Sequence, residues 1–174
     1  MIEIIKNLWV GSYYDANNEK EIKLNNIKCI LNFASECNKP VFCDSSYNYK
    51  KYDLIDHGDE KINEHFMESG CIINNNLKKD IGVLIYCRMG YSRSVTIIIA
   101  YLMNYGFDIE EKKKNSYSDC FCYVKEKHKL ASPNLGFCIQ LRELDMKNGF
   151  RNDISDCMSS SRSSPLFQEI NSPI

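Results

Sequence analysis

Several things are missing from this chain of 174 residues. There is no long apolar run: the longest, Ile97 to Met103, falls far short of the ~20 residues that span a bilayer. Neither charge is in excess. With 22 basic against 23 acidic side chains, the composition gives no reason to expect an electrostatic nucleic-acid binder. Residues 1–20 lack the basic-then-apolar pattern of a secretory leader, Ile2 is incompatible with myristoylation, and Ser172-Pro173-Ile174 is no prenylation box. Histidine is scarce, with 3 residues widely spaced. The cysteines form no C-x-x-C pair, only Cys120-x-Cys122, so no zinc site and no other cofactor is expected. There are no internal repeats.

What remains is an ordinary globular composition, 44% hydrophobic and 26% charged. A single domain of this size can bury ~70% of its unfolded surface without metals or disulfides. Two biases stand out. Asn (18), Ile (20) and Lys (17) are over-represented, a skew of the kind codon usage produces, so Asn74–Asn76 and Lys112–Lys114 read as solvated faces or loops. Cysteine numbers 9, an odd count at irregular spacing with no leader. That pattern fits reduced thiols in the cytosol or nucleus rather than a disulfide framework.

The hydrophobic pattern alternates strands with helices, which predicts an α/β domain over residues 1–148. Ile2–Ile5 and Leu8–Val10 read as short strands around Asn7, and a polar helix is expected from Ala16 to Leu24, capped by Asp15. Cys29–Phe33 and Tyr52–Ile55 read as strands, with a Ser/Asn/Asp/Pro-rich loop between them over 34–50. Ile62, Phe66, Ile73 and Leu77 recur at helical spacing. Gly82–Tyr86 is apolar on both faces and suits the middle of a sheet. Val95–Met103 is open between strand, by its β-branched content, and buried helix, by its length and the following Gly106. Ser132 as N-cap and Pro133 at the first helical position open a last helix with Phe137, Leu141 and Leu144 on one face. Residues 149–174 contain 7 Ser and few large apolar groups, the composition of a disordered tail.

The chemistry concentrates in Tyr86-Cys87-Arg88-Met89-Gly90-Tyr91-Ser92-Arg93-Ser94. A loop leaving the C-terminal end of a central strand and entering a helix aims backbone N–H groups at one point, where anions bind. Gly90 permits the tight curvature. Cys87 sits in the same positive field, which favours its thiolate as a nucleophile. Arg93 can return to grip two phosphate oxygens with its planar fork, and Ser94 can donate a hydrogen bond to the departing sulfur. With 9 Cys and 5 Arg, one Cys-x5-Arg pair arises by chance about a quarter of the time. Adding the Gly, both flanking Ser and the strand-loop-helix context reduces that to roughly one in ten thousand.

Cys87 to Ser94 resembles the signature loop of cysteine-based protein phosphatases, and its G-x-S-R-S ending is the form of dual-specificity phosphatases. Leu8-Trp9-Val10-Gly11-Ser12 is similar to an early strand of that family, Ala100–Met103 to the helix after the loop, and Ser132-Pro133-Asn134-Leu135-Gly136-Phe137 with Gln140-Leu141 to its last helix. The resemblance covers about residues 3–147. It implies a protein tyrosine phosphatase-like fold, a central mostly parallel sheet flanked by helices, with about Ser94–Tyr105 helical. It implies a metal-independent hydrolase acting on phosphotyrosine and phosphoserine/threonine of a protein substrate through a phosphocysteine. Cys87, Arg93, Asp56 and Ser94 would be the catalytic set, with phosphate held by Arg88, Met89, Gly90, Tyr91, Ser92 and Arg93. The family's general acid is an Asp 30 to 40 residues before the cysteine. Asp56, 31 residues before Cys87, fits best, Asp59 is the runner-up, and Asp53 comes too early. His57 reads as a solvated loop residue.

Two departures qualify the resemblance. Tyr86 stands where the family has His, and could hydrogen-bond in its place or simply pack. Lys112 to Cys122 reads as an insertion of roughly eight residues relative to the family. Two other functions remain open: a superfamily phosphatase for a non-protein phosphate such as a phosphoinositide, RNA 5′ end or glucan, and a phosphate-binding pseudophosphatase. The former tend to have more basic loops ending Arg-Thr, whereas this loop has Arg88 as its one extra cation. The expectation is a small stand-alone member without membrane insertion or nucleic-acid partner, located in the cytoplasm or nucleus. Cys37 and Cys43 are candidates to trap an oxidised Cys87.

Overall fold

The computed structural model describes residues 1–107 and 114–149. The Ser-rich segment from 150 onward and the start of the Lys112–Cys122 stretch lie outside the described residues. Strands β1 (Ile2–Ile5), β2 (Leu8–Ser12), β3 (Ile27–Asn32), β4 (Asn48–Lys51) and β5 (Gly82–Cys87) form one sheet in the order β1-β2-β5-β3-β4. The β1–β2 pair is an antiparallel hairpin that turns at Asn7, in the left-handed region at φ 65°; all other pairs are parallel. The expected mostly parallel sheet is what is observed. β5, flanked on both sides and buried at all six positions, is its centre.

The parallel order requires crossovers, to which helices α1 (Tyr13–Ala16) and α2 (Glu19–Leu24) contribute between β2 and β3, and α3 (Phe66–Leu77), with a 3-10 turn at Ile62–His65, between β4 and β5; α4 (Arg93–Tyr105), α5 (Tyr117–Lys127) and α6 (Leu135–Lys147) follow the last strand. α4 resolves the ambiguity left by the hydrophobic pattern. Every residue from Arg93 to Met103 is buried, because β2 and β5 lie on one side and α3, α5 and α6 on the others. Burying an Ile contributes about 1.5–3 kcal/mol, against a helix-propensity penalty for β-branching of at most ~0.7 kcal/mol per residue, so packing decides.

Three expectations are corrected. The single helix over Ala16–Leu24 is two: Ser12 caps α1 in a reciprocal box with Asp15, and Asn18 caps α2. The strand expected at Tyr52–Ile55 lies earlier, at Asn48–Lys51. β3 ends at Asn32, whose partner is Lys51, so Tyr52 leaves the ladder and stacks on Phe33 with ring centroids 4.3 Å apart. β4 is a polar edge strand, with lysines of the kind that discourage edge pairing, and so has no hydrophobic signature. The N-cap of α6 is Asn134 rather than Ser132; its side chain accepts from Phe137 N–H at 3.0 Å. The described part of the apparent insertion, from Lys114, is largely packed helix: Ser116 caps α5, Asp145 accepts from Tyr117 N–H, and Cys120 is buried.

Ile99, fully buried in α4, gives a stability test of this packing. Ile99→Ala is expected to lower unfolding free energy by about 2–5 kcal/mol, read as a reduced urea midpoint at unchanged slope.

Candidate active site

β5 delivers Cys87 to the C-terminal edge of the sheet between β2 and β3, the position at which parallel sheets bind ligands. Residues 88–92 then turn into the N-terminus of α4. Three carbonyls of this loop are engaged from outside. Tyr13 N–H donates to Arg88 O at 3.2 Å, Ser132 N–H to Tyr91 O at 2.8 Å, and His128 Nε2 lies 2.9 Å from Gly90 O. With the carbonyls drawn outward, Gly90 N–H faces inward and donates to Cys87 Sγ at 3.2 Å. Gly90 has φ +77°, and a Cβ there would sit 2.8 Å from the Gly11 backbone, so both conformation and space require glycine. Cys87 is 1% exposed, and Ser94 Oγ lies 3.2 Å from its sulfur.

Arg93 occupies the first turn of α4 and is 3% exposed. Its guanidinium carries five N–H donors in a fixed fork. Nη1 donates to Glu36 Oε2 at 2.7 Å and Leu54 O at 2.9 Å, and Nη2 donates to Glu36 Oε1 at 2.6 Å. Nε is buried without a hydrogen-bond partner. The unmatched donors are therefore Nε–H and the second Nη2–H, a parallel pair along one edge of the group. This pair has the spacing that matches two oxygens of a carboxylate or phosphate. The hydrogen bonds from Arg93 pull the Glu36 carboxyl down to about 2.

Asp56 stands across from that edge. Its Oδ2 is 3.7 Å from Arg93 Nε, while Oδ1 accepts from Ser92 Oγ at 2.7 Å and Asn134 Nδ2 at 2.8 Å. Asn134 thus caps α6 and holds the Asp56 loop. Close approach of the same loop to α6 needs Gly136, where a Cβ would collide with the Gly58 backbone. Asp59 has a side chain 97% exposed, pairs with His57 and lines no part of the cleft. A cleft of about 490 Å³ is lined by Glu36, Asp56, Cys87–Met89 and Tyr91–Arg93. The proposed residues are therefore brought together, Asp59 excepted. Arg88 and Met89 are exposed and lie along the cleft.

Tyr86 is fully buried and donates to Asn38 O at 3.1 Å; burial pushes its phenol far up, so it is a neutral donor. It packs with Cys37, Cys43 and Cys87, and all eight cysteines among the described residues are free thiols. Sequence reasoning missed Glu36 and His128. Both come from segments distant along the chain, with no local pattern to mark them. Among the described residues no three metal-ligating side chains cluster, and no helix is long and apolar enough to cross a membrane.

The family model for the dual specificity phosphatase catalytic domain matches residues 8–147. Human dual specificity protein phosphatase 9 is 34% identical over 152 residues, 86% of this chain and 37% of the relative. Dual specificity protein phosphatase 1B of Arabidopsis thaliana is 33% identical over 143 residues, 82% of this chain and 80% of the relative. The chain thus spans little more than a third of the human relative but most of the plant one. Among solved structures, human DUSP28 superposes with TM-score 0.76 at 21% identity, covering 84% of this chain and 96% of that one. The human tyrosine phosphatase-like serine/threonine/tyrosine-interacting protein gives 0.75 at 28% identity, covering 84% and 96%. Loop, sheet and sequence agree, and the chain belongs to the dual-specificity phosphatase catalytic-domain family.

Proposed function

We propose that this domain hydrolyses phosphotyrosine and phosphoserine/threonine side chains of a protein substrate through a phosphocysteine intermediate, with no metal in the reaction. The observation that carries the reading is the buried Nε of Arg93, without a hydrogen-bond partner, in the cleft it shares with Cys87. Two parallel N–H donors beside a nucleophile suit a phosphoryl group, and their worth rises in a water-poor cleft.

In the first step Cys87 Sγ attacks phosphorus and the P–O bond to the substrate breaks. Arg93 and the loop amides hold the equatorial oxygens, and Asp56 protonates the leaving oxygen. In the second step Asp56, now a carboxylate, takes a proton from water as its oxygen attacks phosphorus. The P–S bond breaks, and Ser94 Oγ–H donates to the departing sulfur. Arg88, Met89, Gly90, Tyr91 and Ser92 complete the phosphate cradle. A nucleophile that must stay reduced supports a reducing compartment, the cytosol or nucleus.

Cys87→Ser is expected to abolish hydrolysis of phosphopeptides and of a small aryl phosphate. Turnover by Cys87→Ser equal to wild type overturns the mechanism. Preference for phospholipids, RNA 5′-phosphate ends or phosphoglucan over phosphopeptides moves the substrate class to a non-protein phosphate. Tight phosphate binding without any turnover by wild type makes this a pseudophosphatase.

Asp56→Asn is expected to slow phosphoserine peptides by about 10²–10⁴-fold and to slow p-nitrophenyl phosphate much less, since that leaving group needs little protonation. Asp59→Asn leaves both rates unchanged. Gly136→Ala, which displaces the Gly58 backbone, should reproduce the Asp56→Asn pattern in weaker form while alkylation of Cys87 by iodoacetate proceeds at the wild-type rate.

A further inference from the structure

Two of the three ties that draw the loop carbonyls outward come from backbone N–H groups, those of Tyr13 and Ser132. The third comes from a side chain, His128, and so is the one that a change of residue can remove. A carbonyl oxygen only accepts, so at 2.9 Å from Gly90 O the Nε2 of His128 carries the proton. His128 is held independently of the loop. It is the C-cap of α5, its N–H donating to Val124 O at 2.8 Å and its carbonyl accepting from Ala131 N–H at 2.9 Å. The residue is buried, and its ring lies 5.8 Å from that of Tyr91.

What this tie does follows from the shape of the peptide unit. No peptide bond of the described residues is cis, and in a planar trans peptide the C=O of one residue and the N–H of the next point in opposite directions. Drawing Gly90 O towards His128 therefore turns Tyr91 N–H to the inner side of the loop, where Gly90 N–H already meets Cys87 Sγ at 3.2 Å. Tyr91 N–H has no hydrogen-bond partner among the described residues, so it is a donor left for a ligand. The peptide between them has little restraint of its own, because it rotates about the Cα of Gly90, where no Cβ limits it. A flip would turn Tyr91 N–H away and bring Gly90 O inward, a negative end facing a phosphoryl oxygen. It would leave Gly90 N–H, which belongs to the preceding peptide, on the sulfur.

We propose that His128 is a positioning residue for the phosphate cradle: its Nε2–H holds Gly90 O outward and thereby fixes Tyr91 N–H as a donor to the phosphoryl oxygens. This role deepens the phosphatase reading and rests on it.

The test separates the donor from the ring. His128→Phe keeps an aromatic ring and removes the donor, whereas His128→Gln removes the ring and keeps an N–H donor. Both are compared with wild type in kcat and KM on an aryl phosphate, in affinity for vanadate as a transition-state mimic, and in the Kd of inorganic phosphate by calorimetry. Losing one donor to a developing oxyanion costs about 10²–10³-fold in kcat. His128→Phe frees the Tyr91 donor to turn away without deleting it, so a loss of about 10–10²-fold is expected, in kcat more than in KM. Vanadate affinity should fall together with kcat/KM, and phosphate affinity should fall less. His128→Gln should recover most of the loss, even where its urea midpoint lies below that of His128→Phe. Iodoacetamide, a neutral alkylating agent, should react with Cys87 at similar rates in all three proteins.

Wild-type kinetics in a folded His128→Phe overturns the proposal. Equal losses in His128→Phe and His128→Gln also overturn it, by making the ring a packing element alone. A parallel loss of Cys87 alkylation does the same, because the whole loop is then displaced. Should His128→Phe not fold, His128→Leu takes its place. A wild type that binds phosphate without turnover leaves the phosphate and vanadate affinities to decide. Failure of the wild-type protein both to turn over phosphate esters and to bind phosphate instead removes the underlying phosphatase reading.

Discussion

The buried cation of Arg93, a residue 3% exposed, is the constraint around which this site is arranged. Removing such a cation from water costs several kcal/mol even after relaxation, unless other groups take over its hydration. Here the cation also sits in the first turn of α4, where the helix dipole is already positive. The two fields add, so the surroundings of Arg93 must be rich in anions and acceptors. Glu36, Leu54 O and Asp56 supply them, and Cys87 lines the same cleft. The donors left over on the Nε edge make the site receptive to a further anion.

The fold holds these groups in place by drawing on distant parts of the chain. β5 is the middle strand, so the loop after Cys87 emerges between β2 and β3 and is reached from both sides. The turn into α1 takes the Arg88 carbonyl, the end of α5 sends His128 to the Gly90 carbonyl, and the segment before α6 takes the Tyr91 carbonyl. With its carbonyls committed outward, the loop cannot easily turn its amides away from the sulfur. The Asp56 loop depends likewise on α6, through Asn134 and the backbone contact allowed by Gly136. A cleft assembled from separate loops is made rigid by α4, whose burial on every side leaves the loop little room to shift.

What the amino-acid order makes legible is what lies close along the chain. Cys87, Gly90, Arg93 and Ser94 fall within eight residues, and their roles follow from one strand, one turn and one helix start. β5 and α6 are marked by apolar periodicity, and Asp56 by its spacing from Cys87 once the family resemblance is in view. Glu36 is an acid in a polar loop, like Asp44 or Asp53, and only the return of Arg93 across 57 positions distinguishes it. His128 is the C-cap of α5, an element with no motif in the sequence to mark it. β4 has no apolar face because it is an edge strand, and its neighbours Tyr52 and Leu54 attracted the strand assignment because they are buried for another reason. In each instance the missing information is a contact between distant segments, which local pattern does not encode.

The charges of the cleft show why geometry rather than net field must select its ligand. Arg88 and Arg93 are set against Glu36 and Asp56, two cations against two carboxyl groups, and the whole chain carries −1. Long-range attraction for a phosphate is therefore weak, and at physiological salt it is screened beyond about 8 Å. A dianion that does arrive meets donors already aimed: the Nε edge of Arg93 and the N–H groups of the loop, held by bonds made elsewhere in the protein. Glu36 offsets the charge of Arg93 at the far end of the guanidinium and leaves its direction intact. An arginine free of that carboxylate would attract phosphate more strongly from a distance, but would have to give up its own motion to bind it. The tie thus exchanges long-range attraction for preorganisation, which can stabilise a transition state more than the ground state that precedes it.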